Sequence, residues 1–332
     1  MVLQTDTGML NSAGFKAKSD ISRILKSEGY EVLTFDITRW NKLLRPPASY
    51  FFWKNKLSNI PSLLVYQYPT YSHVFTDMFF KVTRKFPVKT IGLVHDVESL
   101  RLFTNSVSNQ NKEIVSLNRF DALIVHNNRM KKWLSEHGVR TPMICLQIFD
   151  YLNDAAIRKE TPKFDLVMAG NLNKVPYISN WQTTIKIQLL GPNPASSYPD
   201  NINYVGNFSP NEVPQKLDAK FGLVWDGDSL SSGAGVYGEY TKYNNPHKTS
   251  LYLSMGIPVI VWDQAAIADF VLDYQVGITV SNLNKLEERL KSMTNSDYAQ
   301  MKSNAENIAK DLRSAKFTQV AIAQAEQLLD KR

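Results

Sequence analysis

The sequence of 332 residues has little cysteine and no long apolar run. Its single cysteine, Cys145, excludes an internal disulfide bond. No stretch approaches the roughly 20 apolar residues that a membrane-spanning helix needs. The opening residues, MVLQTDTGMLNS, lack the basic start and apolar centre of a secretory signal. From these absences we expect a cytoplasmic protein.

Several nucleotide and catalytic motifs are also missing. No G-x-G-x-x-G fingerprint directly follows a predicted strand, which argues against a dinucleotide dehydrogenase. The sequence contains no G-x-x-x-x-G-K-[ST] phosphate loop and no G-x-S-x-G nucleophile turn. The histidines His73, His126 and His137 lack the spacing of metal ligands.

The chain is basic, with a net charge of +7 at pH 7. This charge favours an anionic partner such as a nucleotide, a nucleic acid or a membrane face. The basic residues are spread over many predicted helices instead of forming a stripe with interleaved aromatics, so a nucleic-acid partner is not expected. Peripheral contact with a membrane stays open.

Apolar strand patterns alternate with helical patterns along both halves of the sequence. Strands such as SLLVYQYP and KTIGLVHD are apolar on both faces, which is typical of a covered parallel sheet. The sequence therefore predicts two Rossmann-like, doubly wound α/β domains that face a cleft, with ligands beyond the carboxyl ends of the strands. We expect domains at 1–155 and 160–312, a polar linker at 151–163, and a final helix at 313–332 that crosses back onto the first domain.

Residues 244–261, NNPHKTSLYLSMGIPVIV, predict a loop, a helix and a strand. Asn245 is a favourable N-cap, and Pro246 suits the first helical position. Lys248 and Thr249 then occupy the first turn, where unpaired N–H groups and the helix dipole attract anions. Because two apolar strands flank the segment, we expect this helix start, with Asn245, Lys248 and Thr249, to hold a phosphate. The alternative is a plain helix start with a solvated lysine.

A second phosphate contact is predicted in VMAGNLNKV, where a strand ends at a polar turn. Gly170 permits close approach of a ligand to the backbone, Asn171 offers an amide, and Lys174 adds a charge. An ordinary strand-to-helix turn is the alternative. Residues 226–245 carry many Gly, Ser and Tyr residues, which predicts a long loop of the kind that acts as a mobile lid.

Three candidate features follow elements of the first half. His95 and Asp96 end the strand GLVHD, where they suit acid–base chemistry or sugar hydroxyls, unless Asp96 only caps the next helix. Ser12 lies in a polar rim before the first helix. Tyr68 and Tyr71 follow another strand and suit stacking on a sugar ring. For both rims, an ordinary surface loop is the alternative.

Taken together, these stretches resemble a known family. The chain is similar to bacterial glycosyltransferases of the GT-B fold, above all to the accessory glucosyltransferases that extend O-linked N-acetylglucosamine on serine-rich repeat adhesins. Galactofuranosyltransferases of surface-polysaccharide synthesis are similar too. The resemblance covers nearly the whole chain and is strongest at 221–263. The matching stretches are LVHDVESLR, VHNNRMKKWLSEHGV, AGNLNK, FGLVWDGD, HKTSLYLSMGIPVIV and KFTQVAIAQAEQLL.

The resemblance implies roles for particular residues. The lysine that binds the UDP diphosphate corresponds to Lys248, and Lys174 stands where the family carries an arginine. In the family, a hydroxyl residue near the start of the first helix contributes to the active site, and Ser12 is the corresponding residue here. The pair of glutamates that many retaining relatives carry is absent, because Tyr243 and Leu251 occupy those places. Retention or inversion of the anomeric centre therefore stays open.

The resemblance implies transfer of a hexose, glucose or a similar sugar, from a UDP-sugar to a glycan or glycoprotein by a homo-oligomer. Galactofuranosyl transfer is one alternative, and a non-catalytic nucleotide-sugar-binding partner of another transferase is the other. WDGD at 225–228 resembles the metal-binding D-x-D triplet of a transferase class with a different fold. Because Lys248 and helix N–H groups can neutralise the diphosphate, no metal or other cofactor is expected.

Overall fold

The computed structural model describes residues 1–6, 13–39, 41, 43–58, 61–104 and 106–331. They divide into two compact units, Met1–Leu146 with Thr318–Arg332, and Gln147–Phe317. The expected linker at 151–163 lies inside the second unit. There Tyr151 and Ala155 are buried, and the Tyr151 hydroxyl donates to the Pro210 carbonyl at 2.9 Å. The chain therefore passes from one unit to the other earlier than its polar composition suggests.

In the first unit, the described residues form a parallel six-stranded sheet with the order β2-β1-β3-β4-β5-β6. The strands are β1 (Val2–Asp6), β2 (Val32–Asp36), β3 (Leu63–Tyr68), β4 (Lys89–Val94), β5 (Ala122–Val125) and β6 (Met143–Cys145). The helices are α1 (Ala13–Ser27), α2 (Arg45–Leu57), α3 (His73–Thr83), α4 (Glu98–Arg101), α5 (Val107–Leu117) and α6 (Asn128–Glu136).

In the second unit, another parallel six-stranded sheet is found among the described residues, with the order β12-β11-β10-β7-β8-β9. Its strands are β7 (Phe164–Ala169), β8 (Ile187–Leu190), β9 (Ile202–Gly206), β10 (Ala219–Val224), β11 (Val259–Trp262) and β12 (Gly277–Val280). Its helices are α7 (Val213–Lys216), α8 (Val236–Tyr240), α9 (His247–Ser254), α10 (Ile267–Asp273), α11 (Leu286–Lys291) and α12 (Asn295–Arg313). The parallel sheets predicted from the sequence are confirmed in both units.

The core of the first unit is rich in aromatic rings that join two helices to the sheet. Trp53 of α2 packs against Phe75 and Phe79 of α3, with ring centroids 5.1 and 4.8 Å apart. Phe79 also contacts Tyr66 of β3 at 4.6 Å. Complete burial of such side chains contributes about 1.5–3 kcal/mol each, so this cluster fixes α2 and α3 on the sheet.

The last helix, α13 (Lys316–Asp330), belongs to the first unit from Thr318 onward. The Lys89 ammonium donates to the Leu329 carbonyl at 2.6 Å, and the Tyr30 hydroxyl bonds to Glu326. Residues far apart in sequence thus complete one compact unit. Of the helices in the described ranges, none is both long and apolar enough to cross a bilayer.

Candidate active site

The carboxyl edge of the second sheet contains a topological switch point. β7 lies beside β10 and β8, and the chain continues from β7 toward one edge of the sheet and from β10 toward the other. Gly170 follows β7 directly, and Asp226 lies two residues beyond β10. Ligands of open parallel sheets bind outside the strand ends at such a point. The fold therefore marks these two residues as the floor of a candidate site.

Lys248 of α9 reaches this switch point. Its Nζ lies 2.6 Å from Oδ1 of Asp226, and the two side chains are only 15% and 13% exposed. A Cβ added to Gly170 would lie 3.8 Å from both Cε and Nζ of Lys248. The structure therefore brings together two residues that the sequence predicted, Lys248 and Gly170, and adds Asp226 as the counter-ion of the lysine.

Tyr252, one turn after Lys248, holds α9 on the sheet. It is fully buried, and its hydroxyl accepts a hydrogen bond from the backbone N–H of Ala169 at 2.7 Å. Gly222 of β10 makes room for the ring, since a Cβ there would lie 2.2 Å from two ring carbons of Tyr252. Because residues four apart share a helix face, the seating of Tyr252 also directs Lys248 toward the sheet edge.

The start of α9 differs from the sequence prediction. The helix begins at His247, and Pro246 is its N-cap, with φ −62° and ψ 128° and no side-chain cap. The predicted cap, Asn245, is 4% exposed and instead donates its amide to the Gln147 carbonyl at 2.7 Å. Asn245 thus anchors the loop before the helix, and first-turn backbone N–H groups receive no side-chain acceptor from the N-cap.

Thr249 lies in the same first turn and is completely buried. Within the described ranges, its Oγ1 has no hydrogen-bond partner. A buried hydroxyl without a partner costs free energy, roughly 1–3 kcal/mol when the group is left unsatisfied. The Thr249 hydroxyl is therefore a candidate donor to an anion at the start of α9.

The turn after β7 is ordered by its own side chains. Oδ1 of Asn171 accepts from the backbone N–H of Asn173 at 3.1 Å and from the amide of Asn193 at 2.9 Å. Lys174 ends the 3-10 turn Leu172–Lys174, and its Nζ lies 4.7 Å from the ring centroid of Tyr237. Asn171 thus shapes the turn beside Gly170, while Lys174 is joined to the segment that follows β10.

That segment, residues 226–245, is more ordered than the predicted mobile loop. It contains α8, and Tyr240 within it is 4% exposed. Gly233, Gly235 and Gly238 have the spacing of the G-x-G-x-x-G motif, although they do not directly follow a strand. A Cβ at Gly233 would lie 2.4 Å from Trp262, and one at Gly238 would lie 2.2 Å from the Gly233 carbonyl oxygen. Close packing therefore accounts for two of these glycines.

The first unit has its own switch point, between β1 and β3, and Asp96 lies near it after β4. Oδ2 of Asp96 accepts a hydrogen bond from Arg101 at 2.7 Å and from the Tyr71 hydroxyl at 3.3 Å. The Asp96 side chain is 20% exposed, whereas Tyr71 is 53% exposed. The carboxylate, guanidinium and phenol form a polar group that solvent can reach.

The side chain of His95 contacts Gln67 of β3. Its Nε2 lies 2.8 Å from Oε1 of Gln67, whose amide donates in turn to Ser22 Oγ at 2.9 Å. His126 is buried and lies 3.1 Å from the His95 carbonyl oxygen; burial lowers the pKa of His126 to about 4. His126 is therefore neutral near pH 7.

Lys18 is a member of this site that the sequence analysis missed. Its side chain is buried, its Nζ donates to the Pro69 carbonyl at 2.6 Å, and it lies 5.1 Å from the centroid of the Tyr71 ring. Burial lowers the pKa of Lys18 to about 8, and the charges of Asp96 and Glu98 oppose that shift. Its position three residues before buried Ile21, on the apolar face of α1, was the available signal.

Tyr68, a predicted acceptor contact, is buried. Tyr68 is 6% exposed, and its hydroxyl donates to Glu113 at 3.2 Å. It is the last residue of the covered strand β3, so the expectation that its ring stacks on a sugar is wrong. Ser12 lies outside the described residues.

Comparison with known proteins places both units in one family description. A family model described as "Glucosyltransferase 3-like, N-terminal domain" matches residues 2–148, and the corresponding C-terminal domain matches residues 166–325. The β-1,6-galactofuranosyltransferase WbbI of Escherichia coli (strain K12) is 33% identical over 316 residues, which cover 92% of each chain. Glucosyltransferase 3 of Streptococcus gordonii is 24% identical over 323 residues, covering 95% of this chain and 94% of that relative.

Solved structures share the fold at low identity. An α-glucosyltransferase in complex with UDP matches with a TM-score of 0.58 at 11% identity, over 99% of each chain. A glycosyltransferase from Rickettsia africae ESF-5 matches with a TM-score of 0.61 at 10% identity, over 100% of this chain and 98% of the other. With the two parallel sheets, these matches confirm the α/β fold class of GT-B that the sequence predicted.

Proposed function

Because the chain belongs to the glucosyltransferase 3-like family, as its sequence resemblance predicted, we propose that it transfers a hexose from a UDP-sugar to a glycan or glycoprotein acceptor. The second unit holds the nucleotide. The first unit binds the acceptor and supplies the group that accepts its proton.

The observation that supports this proposal best is the position of Lys248. Its ammonium group lies at the start of α9, at the switch point of the second sheet, 2.6 Å from Asp226 and beside Gly170. Gly170 leaves space next to the ammonium, where a side chain would stand otherwise. A diphosphate in that space would contact the ammonium of Lys248, the backbone N–H groups of the first turn and the Thr249 hydroxyl.

The same groups act on the transition state. When the bond between the anomeric carbon and the diphosphate oxygen breaks, negative charge grows on the departing UDP. The ammonium of Lys248 and the dipole of α9 are already oriented toward this charge, so little reorganisation is needed as it forms. Asn171 and Lys174 complete the proposed nucleotide site from the turn after β7. Asn245, which is buried against Gln147, supports the helix start instead of touching the nucleotide.

In the first unit we assign the acceptor chemistry to Asp96. Its partly exposed carboxylate accepts the proton of the attacking hydroxyl, and Arg101 orients that carboxylate by the 2.7 Å hydrogen bond. His95, fixed by Gln67, is placed to bind a sugar hydroxyl. The exposed ring of Tyr71 is the proposed stacking surface for the acceptor.

A specific observation favours a second donor. The Escherichia coli galactofuranosyltransferase is 33% identical to this chain over 316 aligned residues, against 24% over 323 residues for the Streptococcus gordonii glucosyltransferase. Incubation with UDP-glucose, UDP-N-acetylglucosamine, UDP-galactopyranose and UDP-galactofuranose, read by UDP release, separates the two. Release from UDP-glucose supports the glucosyl assignment, and release from UDP-galactofuranose alone supports the alternative. No release with any donor and acceptor contradicts both.

Nucleotide binding is tested separately by calorimetry with UDP. We expect Lys248→Ala to weaken UDP binding by at least about tenfold, because a charge-assisted contact is worth roughly 1.5–3 kcal/mol. Lys186→Ala removes an exposed lysine before β8 in the same unit and is the matched control. UDP binding with no sugar transfer from any donor would instead favour the non-catalytic binding partner.

We also propose that transfer needs no metal, because Lys248 supplies the positive charge and Asp226 is engaged by it. Transfer should then proceed at an unchanged rate in the presence of a chelator. A homo-oligomer and a cytoplasmic location remain predictions, which analytical ultracentrifugation and cell fractionation would check.

A further inference from the structure

Three large apolar side chains are exposed at and just before α2. Leu43 is 85% exposed, Leu44 is 53% exposed, and Phe51 on α2 is 64% exposed. Leu44, the N-cap of α2, and Phe51 are seven residues apart and so lie along one side of the helix, which Lys54 continues. The opposite face of α2 is buried through Trp53 and Leu57. This exposed set, Leu43, Leu44, Phe51 and Lys54, is called the α2 face below.

The chain around the α2 face is mainly basic. Residues 37–76 contain no Asp or Glu but five basic residues, which are Arg39, Lys42, Arg45, Lys54 and Lys56. Lys85, at the end of α3, adds a further cation, because its Nζ lies 5.8 Å from the ring centroid of Tyr50 on α2. Glu31 offsets part of this charge through a contact with Lys56 at 3.5 Å.

We propose that the α2 face docks on an anionic membrane surface. Exposed leucine and phenylalanine side chains at the tip of a basic helix enter the boundary between headgroups and acyl chains, while the lysines pair with anionic headgroups. The contact is peripheral and lies on the surface of the bilayer. Each basic residue near such a surface strengthens binding by about fivefold, so a few cations and apolar side chains suffice for reversible docking.

Charge favours a membrane over a second copy of the chain. A symmetric contact through the α2 face would bring together two copies of the same cations, and residues 37–76 contain no Asp or Glu to pair with them. An anionic bilayer complements both the apolar tip and the charge. The α2 face contains none of the residues assigned to sugar transfer, so the two proposals fail or succeed independently.

The test is co-sedimentation of the full chain with lipid vesicles. We expect binding to vesicles of phosphatidylglycerol and phosphatidylcholine in equal parts, weaker binding to phosphatidylcholine alone, and loss of binding as salt is raised. Phe51→Ser and Lys54→Glu should each weaken binding to the anionic vesicles, and together by at least about tenfold. Because both side chains are exposed, the variants should keep the fold and the rate of UDP release with a water-soluble acceptor.

Two matched controls distinguish the α2 face from general surface charge. Val115→Ser changes a 61% exposed apolar residue on α5, and Lys132→Glu reverses a 78% exposed lysine on α6. Both should bind vesicles like the unmodified chain. Equal binding to anionic and neutral vesicles, or equal loss in the control variants, would overturn the proposal. So would a Phe51→Ser variant that dissociates an oligomer in ultracentrifugation, since the face would then belong to a second copy.

Discussion

The ammonium of Lys248 lies 2.6 Å from a carboxylate oxygen of Asp226, 22 positions earlier in the chain. The pair joins the first turn of α9 to the segment after β10. Both side chains are largely withdrawn from water, so each charge depends on the other for compensation. An anionic ligand that binds Lys248 must therefore also lie close to the negative charge of Asp226, which should weaken its binding.

Asp226→Asn keeps a hydrogen-bond acceptor for Lys248 but removes the negative charge. Without UDP, we expect the free energy of unfolding to fall by about 1–3 kcal/mol, because the ammonium loses its counter-ion. UDP should then stabilise the variant more than the unmodified chain, since its diphosphate replaces the missing charge. Thermal unfolding with and without UDP measures both effects. A smaller UDP-induced rise in Tm for Asp226→Asn would contradict a diphosphate at Lys248.

Gly170→Val tests the space beside Lys248. The φ angle of Gly170 is 140°, and a side chain there would approach the lysine. We expect loss of measurable UDP binding together with a destabilisation of about 1–3 kcal/mol from the strained backbone. Gly29→Val is the matched control, because Gly29 has a φ of 87° and nothing within 4 Å of an added Cβ. It should lose stability without losing UDP affinity.

Lys18 should make stability depend on pH in the alkaline range. Its pKa is lowered from the usual value of about 10.5 to about 8 in the folded chain, so between these pH values the unfolded chain binds one more proton than the folded chain. Stability relative to Lys18→Met should therefore rise as pH increases from about 8 to about 10, by up to about 3 kcal/mol.

Urea unfolding at several pH values measures this difference. Lys26→Met, on the exposed side of the same helix, is the control and should show no comparable rise. A difference between the unmodified chain and Lys18→Met that stays constant across this range would mean that Lys18 is not an ammonium buried against the Pro69 carbonyl.

Asp96→Asn tests the proposed acceptor chemistry. Loss of a proton-accepting carboxylate typically lowers a rate by at least about 100-fold, and we expect kcat to fall by that factor while UDP affinity is retained. Asp77→Asn is the matched change, because Asp77 also binds an arginine, Arg119, at 2.6 Å but is 58% exposed. Turnover of Asp96→Asn within a few-fold of the unmodified chain would remove Asp96 from the reaction.

Sequence patterns predicted the sheets better than they predicted side-chain positions. Buried parallel strands are short apolar runs, and their order along the chain placed Gly170 and Lys248 after the correct strands. The end of β3 was harder to place. Tyr68 is the last residue of an apolar run, and the run alone does not show whether its ring is covered or exposed. The surrounding strand and helices cover it.

One helix start was predicted one residue too early. Pro246 was expected inside α9 but precedes it, because its ψ of 128° is extended. Lys18 was missed for another reason. A lysine in a helix normally extends to water, and its burial depends on the Pro69 carbonyl, far away in sequence.

The return of residues 318–331 to the first unit has a consequence for biosynthesis. Tyr30 and Lys89 leave the ribosome before the second unit is synthesised, but their partners Glu326 and Leu329 are synthesised after it. The sheet of the first unit is therefore incompletely covered until the whole second unit has been synthesised. Fragments that stop before α13 would leave this surface open to chaperones and proteases.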